Sequence, residues 1–179
     1  MADRIHYACG KTILPGWLNV DKVNESFPYG RVENDEAKQI FFMDLTQPHP
    51  FPDETFRYGY AEDFLEHLDQ AESIIFLCEA YRTLKPGGVL RLSSPGLDRV
   101  LHRHLKSSDH AGGETCRQEA YVGWWHKHFY CFESIDLVGR HIGFQDVKQC
   151  EFQKSDHPGL AQDTRVEQED LNLIVELTR

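Results

Sequence analysis

The sequence predicts a layered α/β domain with a largely parallel sheet. Two observations predict this fold class. Short apolar runs of strand character alternate with a long segment whose apolar residues recur at helical spacing, and small or acidic residues stand directly after the strand candidates. The length of 179 residues fits one domain of ordinary size, so we expect residues 1–179 to form a single unit.

The first two strand candidates lie close together. Residues 4–8 form a short strand-like run, and residues 17–21 form a second one after a turn signal at residues 14–16. Gly10 and Asp21 are only eleven positions apart, which is too few for a turn, a full helix and a strand. We therefore expect the first crossover helix to be reduced or absent, with a loop in its place.

The alternation continues in the next third of the chain. Polar residues 22–38 are predicted to form a loop, with one helix at residues 35–39, and strands are predicted at residues 39–44 and 56–61. The proline-rich residues 48–52 cannot form regular structure. Without a first helix, one face of the sheet is thinly covered, so we expect residues 22–38 or a second copy of the chain to cover it.

A helix and a further strand follow. Apolar residues recur at helical spacing from residue 62 to residue 84, with a break near Asp69. The sequence Lys-Pro-Gly-Gly at residues 85–88 ends this helix and leads into a fifth strand at residues 89–93.

The remainder is mainly helical and ends in two strands. Helices are predicted at residues 98–106 and 133–142, and the polar, glycine-bearing residues 107–115 are expected to be loose. Strands at residues 144–152 and 171–177 can pair as an antiparallel hairpin with a long polar loop.

Composition narrows the classes of partner. The chain has 19 Lys and Arg residues against 29 Asp and Glu, a formal charge of −10, which repels phosphate backbones, so we expect no bulk nucleic-acid partner. No apolar run is long enough to span a membrane and the N-terminus lacks signal-peptide character, so we predict a cytoplasmic protein. Five scattered cysteines without a CxxC pair indicate reduced thiols: Cys9, Cys78, Cys116, Cys131 and Cys150.

Candidate ligand contacts stand at the strand ends. Ligands of open parallel sheets bind at the carboxyl ends of the strands. A turn of small residues, Ala8 to Gly10, follows the first strand and lets backbone N–H groups approach a charged ligand. Asp21 ends the second strand, where an acid can accept both hydroxyls of a ribose. These features suit a nucleoside ligand.

Three segments carry a family resemblance. They are ACGKTILPGWLNVD at residues 8–21, MDLTQPHPFPDETFRYGYAEDFLEHL at residues 43–68 and YRTLKPGGVLRLSSPGLDRVL at residues 81–101. In this order they resemble class I S-adenosylmethionine-dependent methyltransferases, and within that class a group of small predicted bacterial methyltransferases.

The resemblance implies a three-layer Rossmann-like fold with a mostly parallel seven-stranded sheet and an antiparallel C-terminal hairpin. It also implies S-adenosylmethionine as the cofactor. The cofactor half would be about residues 1–95, a helical insertion rich in His and Trp about 96–142, and the closing hairpin about 143–179. The implied cofactor contacts are Ala8, Cys9, Gly10 and Lys11 to the methionine part, Asp21 to the ribose, Asp44 and Leu45 to the adenine edge, and Tyr60, Ala61 and Glu62 at the methionyl end.

The function implied is in-line methyl transfer to a small-molecule or saccharide-type acceptor. If the acceptor is a hydroxyl that must lose a proton, four residues are candidate bases, and the sequence does not choose among them: Asp63, His67, His126 and His128. Ala8 stands where the family has a first glycine, and Asp63 stands where close relatives commonly show histidine. These departures and the missing first helix motivate an alternative, a non-catalytic protein on the same fold that binds S-adenosylmethionine or another nucleoside or serves as an interaction protein.

Glu66, His67 and the later histidines have competing interpretations. Glu66 and His67 are expected to serve a polar network that anchors the cofactor loop, with direct contact to cofactor or substrate as the alternative. Five histidines lie close together in the sequence: His102, His104, His110, His126 and His128. Because the HxxxH spacing of helical zinc sites is absent, we predict structural or solvated histidines and no metal site, with a metal-dependent hydrolase as a third hypothesis. Trp124, Trp125 and the neighbouring aromatic residues are predicted to form a lid or acceptor-binding wall.

Overall fold

The computed structural model describes residues 3–22 and 40–179. Its strands form one seven-stranded sheet in the order β3-β2-β1-β4-β5-β7-β6. The strands are β1 (Arg4–Tyr7), β2 (Leu18–Asp21), β3 (Ile40–Phe42), β4 (Phe56–Glu62), β5 (Leu84–Pro95), β6 (Asp146–Gln149) and β7 (Asn172–Thr178). The predicted helix at residues 35–39, and all but Lys22 of the segment predicted to cover the sheet, lie outside the described residues.

The sheet confirms the predicted fold class. Strands β1 to β5 are parallel, and β7 runs antiparallel between β5 and β6. Residues 8–17, between β1 and β2, contain turns and no helix, so the first crossover helix is absent as expected. Strand order reverses between β1 and β4, which is where ligands of such sheets bind.

In residues 3–22 and 40–179, four helices and three short helical segments accompany the sheet. The helices are α1 (Gln70–Thr83), α2 (Leu97–His104), α3 (His110–Cys116) and α4 (Phe132–Ile142). Single turns lie at Leu65–His67, Arg117–Val122 and Val166–Gln168. Within the described residues, no helix has both the length and the apolar character that a membrane crossing needs.

The predicted break near Asp69 is confirmed and has a capping mechanism. A 3₁₀ turn covers Leu65–His67, and Asp69 then caps α1. The Asp69 carboxylate accepts the Glu72 N–H at 2.8 Å, and the Glu72 carboxylate accepts the Asp69 N–H at 2.8 Å. Such a reciprocal capping box satisfies two backbone donors that the first helical turn leaves free.

Two expectations need correction. The segment 107–115 is not loose, since α3 occupies most of it and Asp109 caps the helix by accepting the Gly112 N–H at 2.8 Å. A Cβ at Gly112 would lie 2.2 Å from the Ser107 carbonyl oxygen, so glycine there permits close packing. The predicted strand at 144–152 is shorter, because only Asp146–Gln149 pairs with β7.

The core lies on both faces of the sheet. The larger cluster packs residues of α1 and α4, such as Phe76, Leu77 and Ile135, against inward residues of the strands. A smaller cluster on the other face joins Trp17 and Tyr60 to the loop that precedes β7. The turns between β1 and β2 therefore contribute core residues of their own, in place of a helix.

His6 makes the stability of this core depend on pH. Its ring is buried in β1 beside the Asn19 side chain (3.2 Å), and burial lowers its pKa to about 4. Between the folded pKa and the ordinary value near 6.5, the unfolded chain binds a proton that the folded chain does not. This group therefore stabilises the fold near pH 7 and loses about 2 kcal/mol of that contribution by pH 5.

Urea titrations at the two pH values measure this contribution. His6→Asn removes the titrating group, so its free energy of unfolding should fall by about 2 kcal/mol less between pH 7 and pH 5 than that of the wild type. His102→Asn, which changes an exposed histidine on α2, is the matched control and should follow the wild type. An unchanged acid sensitivity in His6→Asn would exclude this origin.

Candidate functional site

The carboxyl ends of β1 to β4 lie along one edge of the sheet because these strands are parallel. Asp21 joins the first two of them. Its Oδ2 accepts the Gly10 N–H at 2.6 Å and its Oδ1 accepts the Lys22 N–H at 2.7 Å. A carboxylate oxygen can accept two hydrogen bonds, so Oδ1 keeps one acceptor position, and the second position of Oδ2 meets only the weakly donating Cys9 thiol at 3.9 Å. Asp21 thus holds the loop after β1 in place and can still accept two hydroxyl donors.

The loop after β1 has an unusual backbone. Ala8 and Gly10 have φ values of 50° and 51°, in the left-handed region that glycine adopts without strain. A Cβ built at Gly10 would have no atom within 4 Å, so the space beside this residue is open to a ligand. Lys11 is exposed on the same loop.

Cys9 belongs to the loop but not to its exposed side. Its side chain is buried, and its N–H donates to the Val20 carbonyl at 2.9 Å. Burial, with the nearby Asp21 carboxylate, raises the pKa of the thiol to about 12. The thiol is therefore neutral at physiological pH and acts as a packing group.

Asp44 stands at the end of β3 and is strongly anionic. Hydrogen bonds from the Lys22 ammonium (2.8 Å) and from the hydroxyl (2.7 Å) and N–H (3.0 Å) of Thr46 lower its pKa to about 2. Leu45 is buried in the main core, so its backbone is the part that can meet a ligand. Lys22 therefore links the ends of β2 and β3 through Asp44.

The end of β4 is more constrained than the sequence suggested. Tyr60 is fully buried in the smaller core cluster, and Ala61 is buried in the larger one. The Glu62 carboxylate accepts the N–H and hydroxyl of Thr164 (2.8 and 2.5 Å) and the N–H of Arg165 (3.2 Å). The Glu62 side chain thus holds the loop before β7, and ligand contacts here are left to the backbone.

Asp63 follows directly and is tied to the same loop. Asn172 donates to its Oδ1 at 3.2 Å, and the Arg165 guanidinium lies 3.3 Å from its Oδ2. Burial raises the pKa of Asp63 to about 6, although Arg165 and Asn172 act in the opposite direction. Sequence reasoning missed Thr164, Arg165 and Asn172, because nothing in their local sequence indicates that they reach β4.

Glu66, His67 and His126 come together beyond the end of β4. The Oε1 atom of Glu66 lies 4.0 Å from His67 Nε2 and 3.9 Å from His126 Nε2. Burial, then the charge of Asp63, raises the pKa of Glu66 well above its ordinary value. Burial lowers the pKa of His126 to about 4 and also lowers that of His67, so both rings are neutral at pH 7.

The polar network expected around Glu66 takes a different form. Within the described part of the chain, neither Glu66 carboxylate oxygen has a hydrogen-bonding partner. The contacts that hold this residue run through its carbonyl, which accepts the N–H groups of Lys127 (2.8 Å) and His128 (3.3 Å). The segment around the later histidines is therefore fixed onto the 3₁₀ turn at Leu65–His67.

His128 is separate from this cluster. Residues 126–131 form no strand, so His126 and His128 do not share a strand face. The His128 ring packs edge to face against Tyr130, with centroids 4.4 Å apart. His104, another of the five histidines that lie close together in the sequence, also stands apart from the cluster, with its Nδ1 2.7 Å from the Glu119 carboxylate.

Comparisons with known proteins identify the type of domain and the fold. Residues 17–92 match a family profile described as a methyltransferase domain. No curated protein matches the chain. A S-adenosylmethionine-dependent methyltransferase from Archaeoglobus fulgidus is similar in structure with a TM-score of 0.65 and 15% identity, over 98% of this chain and 85% of that one.

Two further solved structures share the fold. A S-adenosylmethionine-dependent methyltransferase from Thermotoga maritima gives a TM-score of 0.63 at 17% identity, over 99% of this chain and 82% of that one. A phosphoethanolamine N-methyltransferase from Haemonchus contortus, solved with S-adenosylmethionine, gives 0.60 at 15% identity, over 98% of this chain and 47% of that one. The fold is that of S-adenosylmethionine-dependent methyltransferases, and the domain match together with this fold supports S-adenosylmethionine as the cofactor.

Proposed function

We propose that the chain is a S-adenosylmethionine-dependent methyltransferase that acts on a small-molecule or saccharide-type acceptor. The observation that carries the proposal is the pairing of Asp21 with the Gly10 N–H, beside the point where strand order reverses. The donor set fits the cofactor, because Asp21 keeps acceptor positions for two ribose hydroxyls and the space beside Gly10 is open.

The cofactor contacts follow the strand ends. The backbone of residues 8–11 would border the methionine part, Asp21 would hold the ribose, and Asp44 with the Leu45 backbone would lie at the adenine edge. The backbone at residues 60–62 would border the methionyl end. When bound, the cofactor supplies an activated methyl group and a good leaving group. The chain contributes alignment of the two reactants, which accounts for much of the acceleration in such displacements.

Asp63 is the best supported base for an acceptor that must lose a proton. Its pKa of about 6 is close to neutral pH, where a general base is most effective. Arg165 and Asn172 hold its two oxygens and therefore fix the direction of the carboxylate. His126 is a weaker candidate because its pKa of about 4 makes it a poor proton acceptor.

The acceptor class is proposed from the surface beside Glu66 and His67. The Trp125 side chain is 82% exposed, and its φ of 59° lies in the left-handed region that a bulky residue adopts only under strain. An exposed, rigid aromatic ring with a polar edge is suited to pack against a sugar or another small cyclic acceptor. The neighbouring His126 lies in the cluster beyond β4, which puts this surface close to the proposed methyl-transfer edge.

Two measurements test the proposal. Calorimetric titration with S-adenosylhomocysteine should give a Kd in the micromolar range, because the site offers charged and backbone partners to both ends of the ligand. Incubation with S-adenosylmethionine and a panel of glycosides and small alcohols should release S-adenosylhomocysteine in an acceptor-dependent manner. No binding at millimolar ligand would overturn the proposal. Binding without turnover across the panel would favour the non-catalytic alternative.

A further inference from the structure

The Glu66 carboxylate is enclosed without compensation from the protein. The residue is 2% exposed, and among the residues that the structure describes neither carboxylate oxygen has a hydrogen-bonding partner. Burying an ionised carboxylate is costly unless an opposite charge or several donors balance it. Glu66 is also held firmly, since its carbonyl accepts two backbone N–H groups. A fixed, buried and unpartnered carboxyl group of this kind is balanced either by a proton or by a bound cation.

Two imidazoles face this carboxylate at a spacing that is too long for hydrogen bonds. The Nε2 atoms of His67 and His126 lie 4.0 and 3.9 Å from Glu66 Oε1, and the two rings meet edge to face with centroids 4.8 Å apart. The three potential ligand atoms all lie within 4.8 Å of one another. Ligands of one metal ion, each about 2.1 Å from it, are about 3 to 3.5 Å apart, so side-chain shifts of about half an ångström would close the site.

We propose that Glu66, His67 and His126 bind a divalent transition-metal ion. Two neutral imidazoles with one carboxylate form the ligand set of catalytic zinc sites and of open iron sites, and they select such ions over Mg²⁺ and Ca²⁺, which prefer oxygen ligands. The ion that we propose for this site is Zn²⁺. Three protein ligands leave at least one coordination position for a ligand from outside.

The surroundings of the three residues resemble the outer shell of a metal site. Ligating histidines are usually oriented by a second partner, often a backbone carbonyl, and the His67 ring has a hydrogen-bonding partner in the Trp125 backbone. Lys127 fixes the segment that carries His126 in two ways, through its N–H on the Glu66 carbonyl (2.8 Å) and its ammonium on the Glu72 carboxylate (2.9 Å). The ligands therefore stand on segments that are held to one another.

The position of the site deepens the proposed function, on which this step rests. Glu66 lies three residues beyond Asp63, past the carboxyl end of β4. A metal ion there would offer its open position to an acceptor oxygen. The acceptors that the site favours are then molecules with a hydroxyl or other oxygen that can bind Zn²⁺.

Metal binding is measured directly on the untagged chain. After treatment with a chelator and removal of the chelator, equilibrium dialysis against Zn²⁺ alone should leave about one ion per chain. Co²⁺ in place of Zn²⁺ should give the visible absorption of a low-coordinate site with nitrogen ligands. Glu66→Gln and His126→Asn should each reduce retention at least about tenfold, whereas His102→Asn, an exposed histidine on α2, should retain the ion like the wild type.

Several outcomes would overturn the proposal. These are no retained Zn²⁺ in the folded wild type, equal retention in the two ligand variants, or a Glu66→Gln variant that melts at a higher temperature while Zn²⁺ leaves the wild-type melting temperature unchanged. The last result would identify Glu66 as a buried neutral acid. Thermal unfolding with Zn²⁺ and with Mg²⁺ covers the case in which a variant fails to fold, since Zn²⁺ alone should raise the wild-type melting temperature.

The same preparations separate this proposal from the proposed function. Binding of S-adenosylhomocysteine by metal-free protein that retains no Zn²⁺ would overturn the metal site and leave the methyltransferase assignment standing. Retention of Zn²⁺ that depends on Glu66 and His126, without any binding of S-adenosylhomocysteine, would support the metal site and overturn the proposed function.

Discussion

Replacing Asp21 with alanine should weaken S-adenosylhomocysteine binding about 100-fold, because two hydrogen bonds to a charged carboxylate contribute about 1.5 kcal/mol each. The substitution also releases the Gly10 and Lys22 N–H groups, which Asp21 now accepts at 2.6 and 2.7 Å. The loop that borders the ligand would therefore lose its fixed conformation together with the ribose contact. Calorimetric titration measures the effect.

A graded series separates the two contributions. Asp21→Asn keeps one acceptor oxygen without the charge, so its affinity should lie between those of the wild type and Asp21→Ala. Asp136→Ala removes a carboxylate from α4 that accepts a hydrogen bond from Arg140 at 2.7 Å and should bind like the wild type. Wild-type affinity in a folded Asp21→Ala protein would remove Asp21 from the cofactor site.

The fold could be predicted where the signals are local. Asp69 and Glu72 stand at the spacing of a capping box, and the predicted break in the helical pattern falls where they cap α1. The short separation of Gly10 and Asp21 excludes a helix by arithmetic alone. The helix α3 could not be predicted in this way, because its two adjacent glycines argue against a helix and only the packing of Gly112 on Ser107 explains one of them.

The site also contains residues that the sequence indicates and residues that only the fold brings together. The residues at the ends of β1, β2 and β3 are visible in the sequence because each follows an apolar run. The grouping of Glu66 with His126, and of Asp63 with Arg165 and Asn172, depends on segments far apart in the chain that meet only through tertiary packing. The acidic side chain of Glu66 made it a candidate functional residue, but its position in the sequence does not indicate that His126 lies beside it. No local pattern indicates that the Glu62 carboxylate is bound by the loop before β7.

Arg91 connects that loop to the sheet. It lies in the middle of β5, opposite Glu176 of β7, and its side chain is fully buried. Its Nε and Nη2 donate to the Asp163 carboxylate at 3.0 and 2.5 Å, and Nη1 donates to Glu176 at 2.8 Å. The carbonyls of Glu151 and Lys154 accept at 3.0 Å each. All five guanidinium donors are thus used, and two buried carboxylates depend on this one cation.

Replacing Arg91 with methionine should lower the free energy of unfolding by about 3 to 5 kcal/mol, because it leaves Asp163 and Glu176 buried without the guanidinium that pairs with both; among the described residues, Asp163 keeps only the Gln153 N–H at 2.7 Å. Urea unfolding measures the loss. Arg140→Met breaks an exposed pair on α4 and should cost less than about 1 kcal/mol. Adding Asp163→Asn to Arg91→Met should restore part of the lost free energy of unfolding, since it removes one of the two buried carboxylate charges that Arg91 balanced.

The loss of Arg91 should also affect turnover, because the Arg91 network adjoins the residues that hold the end of β4. Asp163 is followed directly by Thr164 and Arg165, which hold Glu62 and Asp63 at the end of β4. An Arg91→Met protein studied below its unfolding midpoint should therefore turn over an acceptor more slowly while its affinity for S-adenosylhomocysteine stays close to that of the wild type. This separation is expected because the hydrogen bonds that Asp21 accepts come from the Gly10 and Lys22 N–H groups and involve neither Arg91 nor its two carboxylate partners. Equal losses of affinity and turnover would show that the two regions are coupled, and an unchanged urea midpoint would show that the buried carboxylates do not need Arg91.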